Sequence, residues 1–128
     1  TASQVTVIPE GDKYEMLGWI APRTHRFSVS RSYFSWLCPK KQYKLDTNLN
    51  GGVRPLVLAG LFEEYLPMDI YPMYLFKAII AGDIDKMENL GIYEILEEDI
   101  ALCEFVDPSK TEIQQLVRDG INLMIKEC

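Results

Sequence analysis

The sequence predicts an α+β chain: a β-hairpin and extended segments over residues 1–55, followed by a compact C-terminal helical bundle over 56–128. Three observations carry this reading. Apolar and polar residues alternate near the start, as in QVTVIP (4–9). Gly-Asp and Pro punctuation cuts the second half into short segments. Within those segments apolar residues recur at helical spacing. With 128 residues, 48% of them apolar, the chain can bury a core of its own and is too apolar for a disordered polymer.

The first half divides at its turn residues. QVTVIP has the period of a half-buried strand, PEGD (9–12) supplies a turn, and KYEMLGWI (13–20) can return as a second strand. Pro22 and RTHR break that pattern. RFSVSRSYFSWL (26–37) fits a short strand followed by a helical turn, ended by CPKK. YKLDTNLNGGVRPLVLAG (43–60) reads as two extended segments around Asn50-Gly51-Gly52, where glycine can adopt the positive φ of a tight turn.

The second half is a run of short helices. LFEEYLP (61–67) makes one. Asp69 is placed as an N-cap, with Pro72 in the first turn of a helix that stops at Gly82. Asp83 caps IDKMENL, which stops at Gly91. A helix over 96–106 would bring Leu96, Ile100, Cys103 and Val106 to one face, with Glu97, Glu98 and Asp99 in its first turn. Ser109 to Glu112 forms a capping box for a last helix, whose inner face is Ile113, Leu116, Val117, Gly120, Ile121 and Met124. Gly120 costs that helix about 1 kcal/mol against alanine, which points to a close crossing there. Links this short join antiparallel neighbours.

Charge and composition narrow the function. Thirteen basic residues face nineteen acidic ones, a net charge of −6, which disfavours nucleic acid or an anionic membrane as partner. Basic residues concentrate early (Arg23, Arg26, Arg31, Lys40, Lys41, Lys44) and acidic ones late, a polarity that suits docking on other proteins or simply a solvated face. No apolar run approaches the roughly 20 residues of a membrane span. The opening TASQVTVIPEGD carries no initiator Met, signal peptide or presequence and reads as the continuation of a longer chain. Cys38, Cys103 and Cys128 are an odd, unpaired set, read as reduced thiols of a cytosolic environment. His25 is the lone histidine: too little for zinc, and only a formal partner for a nucleophilic Cys.

Familiar catalytic templates are missing: there is no P-loop, G-x-G-x-x-G, G-x-S-x-G or H-E-x-x-H. Three weaker features each have a structural and a functional reading. Asn50-Gly51-Gly52 is a structural turn or a backbone cradle for an anion. Tyr33, Phe34 and Trp36 are packing residues or the lining of a quinone or flavin surface. Glu97, Glu98 and Asp99 are helix-start acids or a cation site.

The stretch LEEDIALCEFVDPSK (96–110) carries the one redox-like pattern. Its spacing is that of the ferredoxin run C-x2-C-x2-C-x3-C-P, with the ligand places falling on Glu97, Ile100, Cys103 and Asp107. A fainter copy ends at Pro67, with Leu56, Ala59, Phe62 and Leu66 in those places. One thiol and two carboxylates do not hold a four-iron cluster, and the first copy offers no donor at all. The bundle therefore has the layout of a two-cluster ferredoxin domain without clusters. No catalytic, cofactor-binding or metal-binding residue is predicted.

VTVIPEGDKYEMLGWIAP, FSVSRSYFSWL, LFEEYLPMDIYPMYLFKAIIAGDIDKMENLG and EILEEDIALCEFVDPSK together resemble the C-terminal part of the A subunit of the Na+-translocating NADH:quinone reductase. The layout is also similar to the cluster-bearing C subunit of the Rnf electron-transport complex. In that comparison Cys103 stands at the third ligand place of the second cluster, and Asp107 where a fourth Cys would be. The resemblance implies membership of a multi-subunit pump that passes electrons from NADH to ubiquinone and exports Na+. NADH, ubiquinone, flavins and the iron–sulfur centre would belong to the whole complex, with no cofactor in this stretch. It further implies a peripheral position on the cytoplasmic side of the bacterial inner membrane, docked chiefly on membrane-embedded subunits. The role expected here is a scaffold or docking domain. The alternatives are a quinone- or cation-binding region of the same complex and a generic interaction module.

Overall fold

Residues 4–20, where alternation predicts a hairpin, form no strand. The computed structural model describes residues 4–52, 56 and 60–127, and among these every regular element is helical. The α+β class is thereby corrected. The physical reason lies in how the segments are cross-linked. The amide of Thr47 donates to the carbonyl of Pro9 at 3.2 Å, but proline has no N–H to return the bond, so no ladder starts. The neighbouring amides turn to side chains instead: Gly11 to Thr47 Oγ1 at 2.7 Å and Lys13 to Asn48 Oδ1 at 2.9 Å. KYEMLGWI folds into turns, with Gly18 bonded to Glu15 and both Ile20 and Ala21 to Leu17. Val5 and Val7 remain exposed. The extended segment expected beyond Gly52 falls largely outside the described residues, as does the expected boundary at 55.

The chain divides into two compact units: residues 1–53 with Pro108–Lys110, and 54–107 with 111–128. Among the described residues of the first, the one regular element is a 3₁₀ turn, Phe34–Leu37. Its order comes from a buried polar clasp. Tyr33, fully buried, places its hydroxyl 2.9 Å from the Gly18 carbonyl and 3.0 Å from that of Pro108. Asn50 donates its side-chain amide to the same Pro108 oxygen at 2.6 Å and its backbone amide to Ser109 at 2.8 Å. Buried carbonyls require such partners, and here they substitute for a sheet.

The described residues of the second unit form four α-helices: α1 (Pro72–Ala81), α2 (Ile84–Asn89), α3 (Ala101–Val106) and α4 (Ile113–Glu127). Short 3₁₀ turns lie at Phe62–Glu64, where a helix over 61–67 is expected, and at Ile92–Glu94. α1 starts at Pro72, whose missing N–H is no loss in a first turn. Its N-cap is Tyr71, not Asp69. It ends on Gly82 at φ +67°, whose amide returns to the Ala78 and Ile79 carbonyls. Asp83 then caps α2 as expected, accepting the Lys86 amide at 3.2 Å. The hydrogen bond from the Lys86 ammonium holds the Asp83 carboxyl below the usual range.

α3 is shorter than expected. Asp99 reaches back to the Leu96 amide (3.1 Å), residues 97–100 form turns, and Leu96 points outward at 61% exposure. Ile100, Cys103 and Val106 do face inward. α4 begins at Ile113, four residues after Ser109, and the amide of Gln114 is capped by Glu104 of α3 at 3.0 Å. α1 packs on α2 and α4, and α3 packs on α4. The core between them includes Phe62, Phe76, Met87, Ile92, Ile113, Val117 and Met124.

Gly120 is the close crossing that its position in a helix implies. A Cβ there would sit 3.0 Å from Cγ2 and 3.1 Å from Cγ1 of Ile79 on α1. Gly120→Ala gains about 1 kcal/mol of helix propensity and meets that contact, so the two effects oppose each other. The expected result is a coupled pair. Gly120→Ala stabilises an Ile79→Ala background by at least about 0.5 kcal/mol more than it stabilises the parent, read from denaturant midpoints in a double-mutant cycle. Additive single effects would refute the contact.

Candidate functional site

The ferredoxin-like frame is where chemistry would be sought, and its described positions each have a definite structural occupation. Glu97 forms an ion pair with Arg118 on α4 at 2.7 Å, and its carbonyl accepts the Gln114 side-chain amide at 2.9 Å. The Arg118 hydrogen bond lowers the Glu97 carboxyl below its ordinary value. Ile100 is fully buried. The Cys103 sulfur, also fully buried, lies 3.9 Å from the Phe62 carbonyl. Asp107 is buried and accepts the Thr111 amide at 2.9 Å, fixing the exit from α3. In the earlier copy Leu56, Phe62 and Leu66 are buried, while Ala59 lies outside the described residues.

The frame thus uses its positions for packing and helix capping. Among the described residues no group of three or more His, Cys, Asp or Glu is placed to hold a metal ion. The acidic triplet does not converge: Glu97 faces Arg118, Asp99 bonds the Leu96 amide, and Glu98 is exposed. Glu97, Glu98, Glu104, Glu112, Gln114 and Arg118 line an open cleft of about 400 Å³. Glu97 and Glu104 already serve there as anchors for α4.

Burial pushes the Cys103 thiol up to about 11, and the nearby Glu63 carboxylate adds to the shift. The thiol is therefore neutral and sheltered at physiological pH, the opposite of a reactive cysteine. The raised value sets the sign of its pH dependence. The preference of the neutral thiol for the folded interior contributes stability that is complete below the ordinary thiol value. It is lost as pH rises toward 11. In a Cys38→Ser/Cys128→Ser background, Cys103 should react with a disulfide reagent at pH 8 only at the rate of unfolding. Fast stoichiometric labelling of the native protein would contradict its burial.

The remaining candidates separate clearly. At Asn50-Gly51-Gly52 the first two amides already donate, to the Ser109 and Leu49 carbonyls. Tyr33 belongs to the buried clasp, while Phe34 and Trp36 are exposed. Cys38 is exposed and Cys128 lies outside the described residues. His25 lines a second cavity, about 230 Å³, with Lys13, Glu15, Arg26 and Lys44. Within it Glu15 bridges Arg23 at 2.7 Å and Arg26 at 2.6 Å. Burial raises the Glu15 carboxyl, and the two guanidinium groups outweigh that and leave it lowered. Sequence pattern groups Tyr33 with Phe34 and Trp36 as packing or ligand-lining aromatics and misses the clasp, because its partners are carbonyls up to 75 residues away.

A small helical module with redox-protein spacing, whose described ligand places hold side chains that pack, pair or cap, is the class of protein that fold and site define. Comparison with known proteins makes it particular. The chain is 42% identical over 99% of its length to the Na(+)-translocating NADH-quinone reductase A subunit of Alcanivorax borkumensis. It is 40% identical over 98% to the A subunit of Neisseria meningitidis serogroup C, and 42% over 98% to that of Pasteurella multocida. Over this stretch the chain belongs to that family of A subunits, and it spans 28% of their length. No family model matches it.

Proposed function

We propose that the chain is a docking module of a Na+-translocating NADH-quinone reductase, corresponding to the C-terminal part of the A subunit, with no redox group of its own. Its task is to hold other subunits, chiefly membrane-embedded ones, while electrons pass from NADH to quinone and Na+ is moved elsewhere in the complex. The single observation behind this is the use made of the cluster frame. Ile100 and Cys103 point into the core, and Glu97 and Asp107 are committed to Arg118 and to the Thr111 amide. A peripheral place on the cytoplasmic side of the inner membrane accompanies this reading. No helix among the described residues is long and apolar enough to cross a membrane.

Two measurements test it together. Anaerobically purified protein should contain no stoichiometric iron or sulfide, and deletion of residues 56–128 should abolish co-purification with the membrane subunits. Stoichiometric iron with visible absorbance, or co-purification unaffected by the deletion, would sink the reading. A second reading, in which the module itself meets quinone, has the exposed Phe34 and Trp36 in its favour. Titration with a short-chain quinone that shifts no amide resonance of 33–37 would dismiss it.

A further inference from the structure

The net charge of −6 hides a strong division. The first unit carries eight basic residues against four acidic, and the second five against fifteen. Between Met16 and Leu45 there is no Asp or Glu, while six Lys and Arg fall in that interval. Arg23 and Arg26 are tied to Glu15, whereas Arg31, Lys40, Lys41 and Lys44 lie exposed. Lys41 also donates to the Thr24 carbonyl at 3.0 Å. The whole-chain balance that disfavours an anionic partner therefore does not describe this unit.

Within it, residues 34–41 are arranged for display. Tyr33 and Ser35 are buried and hold the base of the 3₁₀ turn, with the Ser35 carbonyl accepting the Cys38 amide at 3.0 Å. From that base Phe34, Trp36 and Leu37 project at 50%, 51% and 60% exposure, and Lys40 and Lys41 follow after Cys38-Pro39. Two exposed aromatic side chains, an exposed leucine and two exposed lysines within eight residues of sequence combine the two features that bind an interface. Apolar groups can enter the headgroup layer while cations meet anionic headgroups. An acidic protein would meet the charge too, and its contact surfaces also take aromatic side chains. Its contact surfaces, however, select Arg and are depleted in Lys, and here the cations at the tip are lysines.

We propose that residues 34–41 form a contact site for an anionic phospholipid surface. The site does not depend on which subunits the chain meets. Trp36 and Leu37 insert at headgroup depth and Lys40 and Lys41 engage the headgroup phosphates. With two lysines and one short apolar turn, the contact is weak and reversible and orients the chain rather than anchoring it.

The test uses the full 128-residue chain with phosphatidylcholine vesicles, with and without phosphatidylglycerol, at low and high salt. Flotation with the anionic vesicles alone, abolished by high salt, is expected, with a blue shift of tryptophan emission. Trp36→Phe should remove most of that shift while flotation persists. Lys40→Gln/Lys41→Gln should weaken partitioning by about 25-fold, roughly fivefold per charge. Lys77→Gln/Lys126→Gln, on exposed positions of the other unit, should not. Circular dichroism checks that each variant stays folded. Absence of flotation with anionic vesicles at low salt, or equal loss in the two lysine pairs, overturns the proposal. So does binding to polyglutamate as tight as to vesicles with no blue shift, which would assign the tip to an acidic protein.

Discussion

Gly51→Ala is expected to destabilise the first unit by about 3 kcal/mol. Two terms contribute. Gly51 has φ +91°, where an L side chain is strained, and a Cβ built there meets Trp19 Cδ1 at 2.6 Å and the Gly18 amide nitrogen at 2.8 Å. The backbone must then move on one side or the other. The Gly18 carbonyl lies at the Tyr33 hydroxyl and Asn50 is the adjacent residue, so any movement loosens the clasp on Pro108. Gly82→Ala separates the terms, because Gly82 has φ +67° with nothing within 4 Å of its Cβ position. It should cost only about 1 kcal/mol. Hydrogen exchange reads the difference at the Asn50 amide, which donates to Ser109 and should lose protection in Gly51→Ala and keep it in Gly82→Ala. Equal costs for the two substitutions would mean that the Gly51 contact is not tight.

What the sequence makes legible, and what it does not, follows from the range of the interactions. Local signals hold: the Gly82 stop, the Asp83 cap, and the inner face of α4, where Ile113, Val117, Gly120 and Met124 are buried and Leu116 and Ile121 half-buried. Each is decided within one or two helical turns. Gly120 is legible for a related reason, since a glycine inside a helix is costly unless something lies against it. The strands are not, because alternation shows that a segment could pair without showing that a partner answers. Pro9 cannot answer, and Thr47 and Asn48 substitute side-chain atoms for a ladder. Glu104 capping α4 in place of Ser109 is likewise a contact between helices, invisible to a capping-box pattern. At the candidate site, spacing marks the ligand places and residue type sets their chemistry. The partners Arg118 and Phe62 come only with the fold.

Phe76→Ala should cost the second unit about 3–5 kcal/mol, lowering its thermal midpoint by about 15 °C or more. Phe76 lies in the middle of α1, fully buried, with its ring edge-on to Phe62 at 5.6 Å between centroids. α1 packs on both α2 and α4, so a cavity there weakens two helix contacts at once. Truncating Tyr74 on the opposite face, 65% exposed, should change stability by less than about 0.5 kcal/mol. The same Phe76 substitution reports on the ferredoxin-like frame. The Cys103 sulfur sits by the Phe62 carbonyl, and it is burial that keeps its thiol neutral. Loss of the Phe76 ring removes the neighbour that holds Phe62 in place. Cys103 should then react with a disulfide reagent at pH 8 faster than the drop in global stability alone provides. Faster labelling with unchanged stability would place the opening at Phe62 and Cys103 alone. Lowered stability with Cys103 still masked would show that the frame is held by α3 and α4 without Phe62.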